Sequence, residues 1–195
     1  ILAPIAYMGE CAAVWILTII ILLILGKPGF RRTAILLFIT MIITDRILAA
    51  GLGTLFDRPR PYMALEGIRQ FGIQWQSGSF PSGHAHSVFV AAIILSSQWK
   101  KLTPWLFTFA ILTCYSRPYF GMHYPLDTLA GAVLGILSGS IAIVINNWIS
   151  RLQMKRNSMS ISELNKIDMT DPRHHQRIYD VVLPAGGRIS GDFAQ

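Results

Sequence analysis

The sequence predicts an all-α, polytopic membrane helix bundle. Three observations carry this: charge is scarce, apolar residues gather into five long runs, and basic residues mark alternate ends of those runs. Of 195 residues, 52% are hydrophobic and 14% charged, where a soluble domain carries about a quarter charged residues. The mean hydropathy is +0.47. The formal net charge of +7 has the sign that nucleic-acid binding requires, but cations at the ends of membrane helices give the same sum. Their positions decide for the membrane. Cys11 and Cys114 lie in apolar runs, where a thiol behaves as a small hydrophobe. The sequence has neither a disulfide framework nor a zinc spacing.

The runs are Ala12 to Leu25 (with an extension back to Tyr7 open), Thr33 to Leu52, the stretch after Pro81 to Trp99, Thr103 to Tyr115, and Leu126 to Trp148. A spanning helix needs about 20 residues, with roughly 17 to 25 the working range, so the first and fourth are slightly short. A soluble helical core built from five such segments would leave too little polar surface to cover it. The chain starts on Ile1 and shows no signal peptide. A sixth helix, ahead of Ile1 or formed partly from the first residues, would make the count even. From Leu152 the sequence turns polar, with Pro172, Pro184, Gly186 and Gly187 and no clear period. Two parts are therefore expected: a transmembrane domain over residues 1–151 and a partly ordered cytoplasmic tail over 152–195. The His174-His175 pair in that tail reads as solvated rather than metal-binding.

Lys27, Arg31 and Arg32 separate the first two runs, Lys100 and Lys101 the third and fourth, and Arg151, Lys155 and Arg156 follow the fifth. These alternate as the cytoplasmic side should, and Trp99, Trp105 and Trp148 sit at the same ends, at headgroup level. Two loops, Gly53 to Ser82 and Ser116 to Pro125, then face outward. Their arginines break the positive-inside pattern and call for another explanation.

Those loops hold the unusual residues. Arg58-Pro59-Arg60-Pro61 lies in the first, which ends on Pro81-Ser82-Gly83-His84 before an apolar run; the second carries Ser116-Arg117, His123 and Asp127. A helix start at Ser82, Gly83 and His84 offers unpaired N–H groups and a favourable dipole to an anion. Serine caps such a start, and glycine lets backbone approach a ligand. Arg60 and Arg117 present planar forks suited to phosphate oxygens. His123 and Asp127, four apart, can face one another, so that the carboxylate orients an imidazole nucleophile. His84 can then serve as general acid to the leaving oxygen. Singly, each of these has a plain structural explanation; five ionisable groups on one membrane face are harder to set aside, since polar groups there are costly.

The arrangement resembles the signature of the type 2 phosphatidic acid phosphatase superfamily, which also includes vanadium haloperoxidases and glucose-6-phosphatase. That signature has three blocks: Lys, six residues, Arg-Pro; then Pro-Ser-Gly-His; then Ser-Arg, five residues, His, three residues, Asp. The second is complete at Pro81 to His84, the third at Ser116, Arg117, His123 and Asp127, and the first matches at Arg60-Pro61. The lysine position is Gly53, while the nearest cation on that run, Arg46, reads as a partner of Asp45 inside the bundle.

The resemblance implies a six-helix membrane bundle with its site at the extracytoplasmic face, and an integral membrane lipid phosphatase that works through a phosphohistidine without metal or other cofactor. It implies that His123 is the nucleophile, Asp127 its orienter and His84 the acid, and that Arg60, Arg117, Ser82 and the Gly83 backbone hold phosphate. Its expected partners are a membrane lipid phosphate or diphosphate and the bilayer, with no nucleic acid; the sequence leaves the oligomeric state and the lipid headgroup open. The expected location is the bacterial cell membrane, with the site facing the periplasm or exterior. A lipid phosphotransferase would use the same residues, and a non-catalytic lipid-binding protein is the reading that Gly53 favours. The membrane runs argue against a haloperoxidase, since those relatives are soluble.

Charge asymmetry makes a topological prediction. In a background lacking Cys11 and Cys114, cysteines introduced between Phe71 and Ser79 should react with an impermeant thiol reagent in intact cells; labelling only after permeabilisation would reverse the orientation.

Overall fold

The structure, a computed structural model, describes residues 12–68 and 78–164, and for residues 12, 13, 46, 48–50 and 159–164 it describes the backbone alone. Every regular element among them is helical. Five long helices follow the five apolar runs: α1 Ala12–Ile24, α2 Pro28–Ile47, α3 Gly83–Gln98, α4 Thr103–Tyr119 and α5 Pro125–Leu164. Prolines open three of them, since a first-turn residue needs no N–H: Pro28 in α2, Pro104 in α4 and Pro125 in α5. The second run ends as a π-helical turn, Leu48–Gly53, followed by the short helix Thr54–Phe56. Asp57 stops it in a left-handed conformation at φ 32°.

Expectations for a helix reaching back to Tyr7, for the His174-His175 pair and for residues 69–77 of the loop after Arg60 fall outside the described residues, as does the Arg46 side chain. By length and hydropathy one described helix, Pro125–Ser158, can cross a bilayer, and Val14–Ile24 is a shorter apolar helix. The chain forms two compact units, Ile1–Asn146 and Asn147–Gln195. In the second, helix continues to Leu164 past Leu152, where the sequence turns polar. Residues 152–164 contain neither glycine nor proline to stop it.

Within the first unit α3 is the centre. Ala85, His86 and the stretch from Val88 to Ser96, apart from Ile93, are buried on every face of the helix. One cluster joins α3 to α1 and α2 through Leu22, Ala34, Leu37, Val90, Ala91, Ile94 and Leu95. Another joins it to α4 and α5 through Val88, Phe89, Ala92, Ala110 and Ala132. The surface is the reverse of a soluble protein's: Ile16, Leu17, Phe38, Ile42, Ile43, Leu129, Val133 and Ile141 all point outward. Hydroxyls within the helices bond the carbonyl four residues back, as at Thr18, Thr33, Thr40, Thr44, Ser87 and Thr113. Each polar group is thereby satisfied inside its own helix.

The closest packing is between α3 and α5. A Cβ on Gly131 would collide with the Ser82 carbonyl, one on Gly135 with the His86 carbonyl, and one on Gly139 would meet the Val90 carbonyl at 3.3 Å and Ile93 Cβ at 2.9 Å, so the main-chain partners are residues 82, 86 and 90. Both series advance by four residues in the same direction, so the two helices run parallel with one turn of α5 on each turn of α3. Their first turns therefore lie side by side, and the Ser82 N–H donates to the Asp127 carbonyl at 3.0 Å.

Gly135→Leu should force the helices apart and lower the unfolding midpoint in detergent, at a cost of about 1–3 kcal/mol. Gly51→Ala, which meets nothing within 4 Å, is the control; matching midpoints for the two would refute a contact of this tightness.

Candidate active site

Four chain segments meet where α3 and α5 begin: residues 58–62, residues 78–84, the end of α4, and the loop that leads into α5. Arg60 adopts extended backbone ahead of the short helix Pro61–Ala64. Gly121, at φ +67°, turns the chain out of α4, a conformation that glycine adopts without a steric cost; its carbonyl accepts from the Tyr62 N–H at 3.2 Å. Ser82 caps α3, its Oγ accepting from the Ala85 N–H at 3.5 Å.

His123 is buried in this junction with both ring nitrogens engaged. Nδ1 donates to the Ser79 carbonyl at 2.7 Å, which fixes the tautomer and leaves the lone pair on Nε2. Arg60 Nη1 donates to Nε2 at 3.2 Å and to the Met122 carbonyl at 3.1 Å, and Nη2 to the Gly78 carbonyl at 3.3 Å. The His84 ring lies across from it, centroids 6.2 Å apart and planes inclined by 63°. Burial pushes His123 down from 6.5 to about 3, with Arg60, His84 and Arg117 adding to the fall and the Ser79 hydrogen bond opposing it. The ring is therefore neutral at physiological pH. Burial also lowers Arg60, against the pull of Tyr62 and Asp127.

Asp127 is placed differently from the sequence expectation. Its carboxylate does not take the His123 ring: Oδ2 accepts from the Tyr124 N–H at 2.9 Å, and Oδ1 pairs with Arg58 Nη1 at 2.9 Å. Tyr124 precedes the first residue of α5 and Asp127 is its third, so the carboxylate closes the helix start as in a capping box. The backbone carbonyl of Ser79 holds His123 instead. That carbonyl is itself located by the Ser79 N–H, which donates to the Arg58 carbonyl at 2.7 Å.

The structure brings the remaining site residues together. Arg117 is fully buried and close enough to act on both His123 and Arg60. Gly83 opens α3, and a Cβ there would meet Asp45 Oδ1 at 3.9 Å, an ordinary contact. Packing alone thus does not demand glycine at this position. Two features escaped the sequence. Arg58 duplicates the Arg-Pro pair but gives no sign of reaching Asp127, and a backbone carbonyl leaves no mark in a side-chain pattern.

Comparisons with known proteins bear on the fold and the family. A family model described as the PAP2 superfamily matches residues 34–151. An undecaprenyl-diphosphatase of Sulfolobus acidocaldarius is 31% identical over 147 residues, covering 73% of this chain and 63% of that protein. The chain spans 56% to 63% of the curated relatives that match first. In the crystal structure of Aquifex aeolicus LpxE the match has a TM-score of 0.61 and 33% identity over 73% of this chain and 82% of that one. A transmembrane PAP2 type phosphatidylglycerolphosphate phosphatase from Bacillus subtilis gives 0.60 and 25%, over 76% of each chain.

The depressed His123 pKa has a consequence for stability. Unfolded, the imidazole takes a proton below its ordinary 6.5, while the native ring stays neutral to about 3. The unfolded state therefore binds more protons in that window, and stability falls as pH falls through it. His123→Asn should lose less of its thermal midpoint than the wild type between about pH 7 and about pH 4; parallel losses would contradict a neutral buried ring.

Proposed function

Because the chain belongs to the PAP2 superfamily, we propose that it is an integral membrane lipid phosphatase, hydrolysing a lipid phosphate or diphosphate monoester through a phosphohistidine. The observation that carries the reading is the His123 ring, with Nδ1 bound to the Ser79 carbonyl and Nε2 turned toward Arg60 and His84. A neutral imidazole in that tautomer is a competent nucleophile. The undecaprenyl-diphosphatase and the phosphatidylglycerolphosphate phosphatase among its relatives support a lipid substrate.

The Arg60 fork occupies the Nε2 lone pair. An arriving phosphoryl group would draw that fork onto its own oxygens, freeing Nε2 to attack phosphorus. Arg60, Arg117, Ser82 and the first N–H groups of α3 would hold the charge on the equatorial oxygens. Burial, with Arg117 and Arg60, lowers His84 to about 3; an arriving phosphate's negative charge would raise it again, so that His84 could protonate the departing oxygen and then as a base take a proton from the water that cleaves the phosphohistidine. Asp127 would act at one remove, holding Tyr124 and Arg58 and through them the segments that carry His123. The family lysine is replaced by Gly53, so the cationic work rests on the arginines.

The five helices are read as membrane spans, with a sixth expected, because their outward faces are aliphatic and Thr33, Thr40, Ser96, Thr113 and Arg117 are buried between them. Residues 1–151 would form the membrane domain and 152–195 a cytoplasmic tail, the site opening to the extracytoplasmic side of the cell membrane. Two histidines and two buried arginines fill the roles that a metal would otherwise serve, which supports metal-independent catalysis.

Purified protein should release inorganic phosphate from a lipid phosphate in the presence of chelator, and vanadate should inhibit it as a mimic of the phosphoryl transition state. His123→Ala should be inactive and should lack the base-stable, acid-labile label that the wild type acquires from a lipid carrying radioactive phosphate. Activity that disappears in chelator and returns only with magnesium would sink the metal-free reading.

A further inference from the structure

An ionisable side chain inside a membrane-spanning bundle is costly and is a functional candidate for that reason. Among the described residues, His86 Nδ1 and Ser96 Oγ are the buried side-chain atoms without a hydrogen-bond partner. A serine hydroxyl can turn to a carbonyl of its own helix, so the imidazole nitrogen is the harder one to account for. His86 is 1% exposed, and its other nitrogen, Nε2, meets Ser138 Oγ of α5 at 3.4 Å. It lies one turn into α3 from Gly83, on the same face, and helical side chains lean toward the helix start. Asp45, near the end of α2, faces that turn: its Oδ1 would stand 3.9 Å from a Cβ on Gly83, and its charge acts on the His86 ring. No direct hydrogen bond joins the two side chains. Asp45 is exposed, so water reaches its carboxylate, while the ring is closed in.

We propose that His86 is a positioning residue, joined to Asp45 through one bound water held between Nδ1 and the carboxylate. A buried polar atom that lacks a protein partner is the usual seat of such a water. The donors then run one way: Ser138 Oγ–H donates to Nε2, Nδ1–H donates to the water, and the water donates to Asp45. This chain crosses three helices. α3 and α5 begin at the site, while α2 runs on through the π-helical turn Leu48–Gly53 toward the segment that carries Arg60. The link therefore sets where Arg60 stands against His123, although neither His86 nor Asp45 touches phosphate. Its kinetic test rests on the phosphatase reading above; its structural test does not.

The structural test uses the wild-type chain in nanodiscs. Ala85-His86 is the sequence's one Ala-His pair, so carbonyl-labelled alanine with nitrogen-labelled histidine singles out His86 by NMR. Its ring should carry the proton on Nδ1 and show contact between that proton and water; a proton on Nε2, or a dry Nδ1, overturns the proposal. The kinetic test measures phosphate release from a lipid phosphate, and its inhibition by vanadate, in four variants. An asparagine amide overlies the Nδ1 position and a glutamine amide the Nε2 position, so His86→Asn should retain the link and His86→Gln should lose it. Asp45→Leu and His86→Gln should each lower kcat/KM and weaken vanadate by on the order of tenfold. The double variant should be no worse than either, and His86→Asn should stay near the wild type. A purely structural role would instead lower the thermal midpoint and leave vanadate inhibition unchanged; that result, or equal losses for Asn and Gln, overturns the proposal. If the variants fail to fold, the wild-type spectrum decides. A wild type that releases no phosphate overturns the phosphatase reading, and the spectrum still tests this one.

Discussion

Gly131, Gly135 and Gly139 bring α5 so near to α3 that a side chain at any of them would meet main chain or a Cβ atom, and the site follows from that approach. Parallel helices in fixed register must start at the same level. The start of α3 carries Ser82, Gly83 and His84; the start of α5 carries Asp127, with His123 just ahead of it. Neither group could be tuned against the other if the register slipped by a turn. Between lipid-exposed helices the association has little hydrophobic drive, so contact distance itself becomes the source of attraction. Structural economy and chemical geometry thus come from the same three residues.

The electrostatics of the junction are set by burial more than by pairing. His123 is surrounded by Arg60, Arg117 and His84 and is kept neutral chiefly because a charge there would be poorly solvated. A neutral carbonyl on Nδ1 fixes the tautomer without the strong upward pull on basicity that a carboxylate partner would exert. Asp127, fully buried, instead offsets positive charge by way of Arg58. The arginines thereby gather around one ring without a second acid among them.

Much of this was legible in the sequence. The five apolar runs became α1 to α5, because long apolar stretches bounded by proline and basic residues leave the chain few alternatives. Arg60, His84 and Arg117, which act on His123, were marked by type and spacing. What stayed hidden was main-chain geometry. The carbonyl of Ser79 is chosen by the path of residues 78–82, and nothing in a side-chain pattern reports that path. Asp127 four residues after His123 looked placed to orient the ring, but its position at the third residue of α5 gave it a nearer backbone partner in Tyr124. Polarity also says little about where α5 ends: helix needs only residues that do not break it, and 152–164, inside the stretch expected to be partly ordered, qualify.

The hydrogen bond from His123 to the Ser79 carbonyl also bears on how this site responds to mutation. A main-chain acceptor cannot be deleted by changing one codon, so the tautomer of the nucleophile is shielded from point substitution at position 79. Damage has to arrive indirectly, through residues that steer the peptide: Pro59 and Pro61 on one side, Gly78 on the other. Inactivating variants should therefore scatter along two loop segments rather than concentrate on an orienting side chain. A mutational survey that looked only for ionisable partners of His123 would miss the group that holds it.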